Sequence, residues 1–198
     1  ILSSNRNISV FIPDNVKGPF NVLYMHDGQN LFNPELSSYG QIWDIHNTVS
    51  KMINAGLIKP LIIVGIDNNK YRMDEYVPFD NSNIYKNYPD NNRVPYYGDL
   101  YAKFIVDELK PFIDNKFETN KGFESTLIAG SSLGGLISLY IGLSYPNTFK
   151  SIGALSISAW WNPSGYEALL KIKKPSINQN YFITCGSNTK WPSPPLFF

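Results

Sequence analysis

Short apolar runs alternate with longer segments of helical period along this 198-residue chain, and that alternation constrains the fold more than any other feature. Turn residues bound each apolar run, as expected for parallel strands that are buried on both faces. The pattern predicts an α/β fold in which a mostly parallel sheet carries helices on both faces. The predicted strands are residues 6–13, 20–25, 61–66, 126–129, 151–157 and 181–185.

Two helices and one long loop are predicted between these strands. Apolar residues recur at helical spacing over 97–117, which gives that segment a core-facing side, and Pro111 should kink or split it. A second helix should cover residues 132–144. Residues 67–97 have little periodicity and many Asn, Asp, Tyr and Pro residues. Because a loop of this length inside a compact domain is usually functional, we expect it to form a wall of the substrate site.

Length and composition indicate one compact domain over residues 1–198. Hydrophobic residues make up 43% of the chain and charged residues 17%, which excludes a disordered or fibrous protein. The formal net charge is +1, and the longest basic run is Lys173-Lys174, so neither nucleic acid nor an anionic membrane is a predicted partner. No apolar stretch approaches the roughly 20 residues of a membrane span. The expected partner is a small or neutral molecule.

The cellular compartment is not fixed by the sequence. A single cysteine, Cys185, cannot form an intramolecular disulfide and is most simply a buried small hydrophobe. The first residue is Ile1 rather than methionine, so we expect that a segment upstream was removed or never built, and a cleaved secretion signal is one explanation. This gives a weak preference for a secreted protein.

Ser132 lies in the sequence Gly130-Ser131-Ser132-Leu133-Gly134, a Gly-x-Ser-x-Gly pattern. The pattern follows a predicted strand and opens a predicted helix, which is the setting of a nucleophile elbow. In such a turn the serine backbone is strained, and glycines are needed where a Cβ would collide with neighbouring chain. The helix N-terminus also directs free N–H groups towards a developing oxyanion. Ser132 is therefore the predicted nucleophile; the alternative is a glycine-rich turn with an idle serine.

A second oxyanion donor is expected after an earlier strand of such a fold. Residues 21–30 form an apolar run that breaks into a polar turn containing Gly28. Glycine would let the backbone approach a substrate closely, which makes the Gln29 N–H the best donor and the Gly28 N–H the next. The alternative is an ordinary turn that ends a strand.

The chain resembles the esterase D-like, or putative esterase, branch of the α/β-hydrolases. The resembling stretches are Ile8–Pro13, Val22–Phe32, Leu100–Phe117, Gly130–Leu136, Tyr145-Pro146 with Phe149, and Ser156–Trp161, and they cover nearly the whole chain. This branch includes feruloyl, acetylxylan and siderophore esterases, S-formylglutathione hydrolase and the mycolyltransferases. The resemblance implies an α/β-hydrolase fold and a serine carboxylic ester hydrolase that acts through an acyl-enzyme.

Carried over residue by residue, the resemblance implies that Ser132 is the nucleophile and that the Leu133 N–H is one oxyanion donor. The turn Asp27-Gly28-Gln29 would form the other side of the oxyanion hole. Arg72 and Glu75 match a loop that the family often places beside the active site, and both are predicted to bind substrate.

Aromatic residues suggest a planar or sugar-containing substrate. Trp160 and Trp161 end a predicted strand, where they would either stack on a sugar or belong to the core. Together with the aromatic residues of the 67–97 loop, they favour feruloyl or acetyl esters of sugars or polysaccharides. No grouping of His, Cys and carboxylate residues has metal-ligand spacing, so we expect no metal and no cofactor.

The chain departs from the family pattern near its C-terminus. The base of this fold follows the nucleophile in the order Ser, Asp or Glu, His, but His26 and His46 both precede Ser132. Thr189 stands near the position of the acid, and Phe198 ends the sequence before the expected histidine. We therefore expect the last strand and helix of the fold to be missing, which would expose a sheet edge and favour self-association. Three functions stay open: a serine esterase, a catalytically silent ligand-binding homologue, and an acyltransferase to a sugar.

Overall fold

A computed structural model describes residues 2, 5–79, 97–159, 163–176 and 178–186. Its strands are β1 (Ile8–Phe11), β2 (Asn21–His26), β3 (Leu61–Ile66), β4 (Thr126–Ser131), β5 (Ser151–Leu155) and β6 (Asn180–Ile183). They form a six-stranded sheet in the order β1-β3-β2-β4-β5-β6. Strand β1 runs antiparallel to β3, and the other pairs are parallel. The predicted α/β fold with a mostly parallel sheet is confirmed.

Helices connect the strands. They are α1 (Ile45–Asn54), α2 (Arg72–Glu75), α3 (Gly98–Lys103), α4 (Lys110–Lys116), α5 (Leu133–Ser144) and α6 (Pro163–Ile172), with 3₁₀ turns at Gly28–Asn30 and Phe123–Ser125. A π-helical stretch, Phe104–Leu109, joins α3 to α4. Pro111 lacks the N–H that would continue regular α-helical hydrogen bonding, and it lies two residues after the end of this stretch, in the first turn of α4. The predicted interruption at Pro111 thus takes the form of a π-helical stretch without a break in the helical segment.

Side chains of the central strands alternate between two apolar cores. In β3, Ile62 and Val64 belong to the larger core, whereas Leu61 and Ile63 belong to the smaller one. This alternation follows from the two-residue period of a strand. The larger core includes buried residues of α3, α5 and α6, and the smaller core includes Val49 of α1. Helices therefore cover both faces of the sheet, as predicted.

The order of the strands determines where a site can form. Strand β4 lies between β2 and β5, and the paired residues include Met25 with Ala129 and Ser131 with Leu155. Because these three strands are parallel, the segments that follow them meet at one edge of the sheet. Open α/β sheets bind ligands at this carboxyl edge. None of the described helices is long and apolar enough to cross a membrane.

Candidate active site

Ser132 stands between β4 and α5 with φ 58° and ψ −121°. For a residue with a side chain this backbone conformation costs about 1–3 kcal/mol. The Ser132 N–H donates to the Leu155 carbonyl oxygen at 2.9 Å, which anchors the turn to β5. A Cβ at Gly130 would stand only 2.6 Å from backbone atoms of Gly134, so the turn requires glycine there. Ser132 thus occupies a strained strand-to-helix turn, and its role as nucleophile stays a prediction.

The hydroxyl of Ser132 pairs with a second hydroxyl. Its Oγ lies 2.9 Å from Ser158 Oγ, and the Ser158 N–H donates to the Ser132 carbonyl oxygen at 3.3 Å. Ser158 is buried and lies just after β5. Ser158 was not among the predicted site residues, and its nearness to Ser132 follows from the place of β5 beside β4 in the sheet.

The turn predicted to donate to an oxyanion follows β2. Asp27 begins the 3₁₀ turn with φ 57°, and Gly28 packs against the carboxyl end of β3. A Cβ at Gly28 would stand 2.6 Å from backbone atoms of both Gly65 and Ile66, which explains the glycine.

This turn and the Ser132 turn are neighbours. A Cβ at Gly134 would lie 3.3 Å from His26 Cβ and 3.5 Å from Asp27 Oδ2. The fold therefore brings Ser132 and Leu133 to the same edge of the sheet as the Gly28–Asn30 turn, which includes Gln29. Donation by the Leu133, Gln29 or Gly28 N–H to a substrate oxygen remains a prediction.

Arg72 donates two parallel hydrogen bonds to the carboxylate of Asp27. Its Nε donates to Asp27 Oδ1 at 2.7 Å, and its Nη2 donates to Oδ2 at 2.8 Å. Asn68 Nδ2 adds a third donor, 2.6 Å from Oδ1. Burial by itself would raise the pKa of Asp27, but the hydrogen bonds and charge of Arg72, with the Asn68 hydrogen bond, hold it below its usual value. Asp27 is thus a stable carboxylate.

Glu75 lies in the protein interior. It is 1% exposed, and its Oε1 accepts a hydrogen bond from Arg6 Nη2 at 2.6 Å. The Arg6 guanidinium also lies over the rings of Tyr101 and Phe104, 5.2 and 5.3 Å from their centroids. Glu75 was predicted to bind substrate. The structure instead shows Glu75 as a buried carboxylate whose hydrogen bond to Arg6 joins the N-terminal segment to α2, and substrate binding by Glu75 stays a prediction.

His26 lies beneath the Ser132 turn. It is 2% exposed, its Nδ1 pairs with Tyr101 Oη at 2.9 Å, and its Cδ2 lies 2.9 Å from where a Gly130 Cβ would stand. Burial lowers the pKa of His26 to about 3; the Asp27 charge opposes this effect, while Arg72 and Arg6 add to it. The imidazole is therefore neutral at pH 7, and it packs between Tyr101 and the turn at Gly130.

His46 is the second histidine of the chain. His46 packs its ring against Phe11 and Phe32, with centroids 5.6 and 5.7 Å away. Trp160 and Trp161 fall outside the described residues, as do Thr189 and positions 80–96 of the predicted loop. Within the described part of the chain, no group of three or more His, Cys, Asp or Glu residues has the geometry to hold a metal ion.

Comparison with known proteins places this chain in a family. Residues 1–190 match the family model described as Putative esterase. The uncharacterized protein YbbA of Bacillus subtilis is 25% identical over 188 residues, covering 93% of this chain and 69% of YbbA. Ferri-bacillibactin esterase BesA of B. subtilis is 27% identical over 173 residues, covering 81% of this chain and 56% of BesA.

A solved structure supports the fold. The BES protein from Bacillus cereus superposes with a TM-score of 0.70 at 24% identity, covering 95% of this chain and 76% of that one. The chain thus spans between about half and three quarters of the proteins that it resembles here. Because the family model matches nearly the whole chain, the protein belongs to the Putative esterase family.

Proposed function

We propose that this protein is a carboxylic ester hydrolase in which Ser132 forms an acyl-enzyme. One observation carries the proposal: Ser132 occupies a strained strand-to-helix turn at the carboxyl edge of the sheet, beside the turn that contains Gly28 and Gln29. An idle serine has no need of this costly conformation, because an ordinary strand-to-helix turn is available without strain. Membership of an esterase family supports the same reaction class.

In the proposed reaction, Ser132 Oγ attacks the carbonyl carbon of the ester while its proton passes to a general base. The carbonyl oxygen becomes an oxyanion that accepts hydrogen bonds from the Leu133 N–H and from the Gln29 or Gly28 N–H. Collapse of the tetrahedral intermediate breaks the bond to the alcohol oxygen, and the alcohol leaves with a proton from the same base. Water then attacks the acyl-enzyme, which releases the acid and restores the Ser132 hydroxyl.

The base in this proposal is neither described histidine. His26 is enclosed and bonded to Tyr101, and His46 packs among phenylalanine rings on the smaller-core side of the sheet. The Ser158 hydroxyl touches the nucleophile but has no basicity at neutral pH, so it orients Ser132 without deprotonating it. The proposed base is therefore a group other than His26, His46 and Ser158.

For the substrate, we propose a small-molecule ester of the siderophore class. The name of BesA, a ferri-bacillibactin esterase, supports this class. The expectation of sugar esters relied on aromatic residues of the 67–97 loop and on the tryptophan pair. Tyr76, from that loop, is fully buried, which removes part of the argument for a sugar-binding wall.

Hydrolysis of p-nitrophenyl acetate tests the reaction class. Ser132→Ala should abolish turnover, whereas Ser131→Ala, the matched removal of the neighbouring hydroxyl, should retain most of it. Labelling by a fluorophosphonate should follow the same pattern. Equal rates for wild type and Ser132→Ala would refute the proposal and favour the silent ligand-binding homologue.

A substrate panel tests the finer assignment. The kcat/KM for ferri-bacillibactin should exceed those for feruloyl and acetyl sugar esters. The reverse order would restore the sugar-ester hypothesis. Formation of an acylated sugar when a sugar acceptor is added would instead identify an acyltransferase.

A further inference from the structure

Two segments at the carboxyl edge of the sheet are bound together by polar contacts. The Asp27 carboxylate follows β2, and it accepts hydrogen bonds from Arg72 Nε, Arg72 Nη2 and Asn68 Nδ2, which follow β3. The Asn68 N–H also donates to Gln29 Oε1 at 3.2 Å. We call Asp27, Asn68 and Arg72 the turn clamp. It holds both the first residue of the turn and the predicted oxyanion donor.

The turn that the clamp holds has a conformation that needs support. Asp27 has φ 57°, and its N–H is directed to Tyr76 Oη at 3.1 Å. The Arg72 guanidinium stacks over the ring of Tyr76, 4.9 Å from its centroid. Arg72 therefore contacts both the Asp27 carboxylate and Tyr76, whose hydroxyl accepts a hydrogen bond from the Asp27 N–H.

We infer that Arg72 is a positioning residue for ester cleavage, because its grip on Asp27 sets the place of the Gln29 and Gly28 N–H groups relative to Ser132. The inference deepens the proposed function and rests on it. It differs from the prediction that Arg72 binds substrate, since both nitrogens that donate to Asp27 are committed inside the protein. A positioning role affects the transition state more than substrate binding, so it should appear in kcat rather than in KM.

Kinetics of Arg72→Ala, Arg72→Lys and Asp27→Asn test the inference on a Ser132-dependent ester. Loss of an oxyanion donor costs about 10²–10³-fold in kcat, so a displaced donor should cost about 10–100-fold, with KM within about threefold. Arg72→Lys keeps the charge but cannot form two parallel bonds, so it should recover little. The double variant Asp27→Asn with Arg72→Ala should be no slower than the worse single variant.

The control variant is Lys110→Ala. It breaks another partly buried ion pair, in which Lys110 Nζ lies 2.6 Å from Asp114 Oδ2, away from the carboxyl edge. It should lower stability without changing kcat. Melting curves for all variants identify an assay temperature at which every variant is folded. A loss of activity at that temperature then cannot be caused by unfolding.

Amide hydrogen exchange measures the local stability of the Gly28–Asn30 turn even in a variant that has no catalytic activity. The Asn30 and Leu31 N–H groups bond to the Asp27 and Gly28 carbonyl oxygens inside the turn. Their exchange should accelerate at least about tenfold in Arg72→Ala and stay unchanged in Lys110→Ala. Unchanged exchange would overturn the inference even if the protein proved inactive. A raised KM with normal kcat, or additive losses in the double variant, would overturn it as well. Absence of any Ser132-dependent hydrolysis in wild type would instead count against the proposed function.

Discussion

Acid should destabilise this protein through His26. Burial lowers the pKa of His26 in the folded state to about 3, from 6.5 for an ordinary histidine. Between these values the unfolded chain binds a proton that the folded protein does not. Stability from the neutral imidazole is therefore fully present above about pH 6.5 and is lost as the pH falls towards 3.

The expected size of the effect follows from these two pKa values. Each pH unit well inside the window removes about 1.4 kcal/mol from the free energy of unfolding, and between pH 7 and pH 5 the total is about 2 kcal/mol. Urea unfolding followed by circular dichroism at both pH values measures it. His26→Gln cannot titrate, so its loss between pH 7 and pH 5 should be smaller than that of wild type by about 2 kcal/mol.

Comparing the pH dependence within each variant cancels the other titrating groups that wild type and variant share. His26→Gln should also be less stable at pH 7, since it loses the packing of the imidazole under Gly130 and the hydrogen bond to Tyr101. His46→Gln removes the other imidazole and leaves His26 in place, so it should retain the acid-dependent loss. Equal losses of unfolding free energy in His26→Gln and wild type between the two pH values would show that His26 is not the cause of the acid sensitivity.

Two further substitutions test the surroundings of the nucleophile. Gly130→Ala should reduce stability by about 1–3 kcal/mol and abolish activity, because the new Cβ would meet the Gly134 backbone at 2.6 Å; Gly122→Ala, with nothing within 4 Å, is the matched control for unfolding and kinetic assays. Ser158→Ala should reduce kcat by roughly 3–10-fold, since a neutral hydrogen bond contributes about 1 kcal/mol. A loss as complete as that of Ser132→Ala would show that Ser158 does more than orient Ser132.

Much of the fold could be predicted because buried parallel strands are continuous apolar runs. Strand β3 was predicted at its observed bounds, residues 61–66, and all six residues are buried. Helix α6 was not predicted. The short α2 was not predicted either, because its four residues are too few to show a helical period. The turn at Ser132 was predictable because its glycines are a local pattern with a local steric cause.

The contacts that surround this turn were not predictable in the same way. Arg72 and Asp27 are 45 positions apart, and Arg6 and Glu75 are 69 apart, so no local pattern pairs them. The family resemblance placed both Arg72 and Glu75 near the site, but it could not show that Arg72 is partly exposed and Glu75 is buried. Ser158 was passed over for a different reason: an isolated serine after a strand becomes informative only when the strand order is known.

The burial that removes His26 from proton transfer also protects the turn clamp. His26, Tyr76 and Tyr101 pack together with ring centroids 5.2 to 5.6 Å apart, between the Ser132 turn and Arg72. A protonated imidazole here would repel Arg72 and compete with it for the Asp27 carboxylate. With His26 neutral, the charge of Asp27 stays committed to Arg72, and the turn that carries Gln29 stays fixed. The uncharged rings of His26, Tyr76 and Tyr101 thus help to keep the predicted oxyanion hole in place, although none of them is proposed to contact substrate.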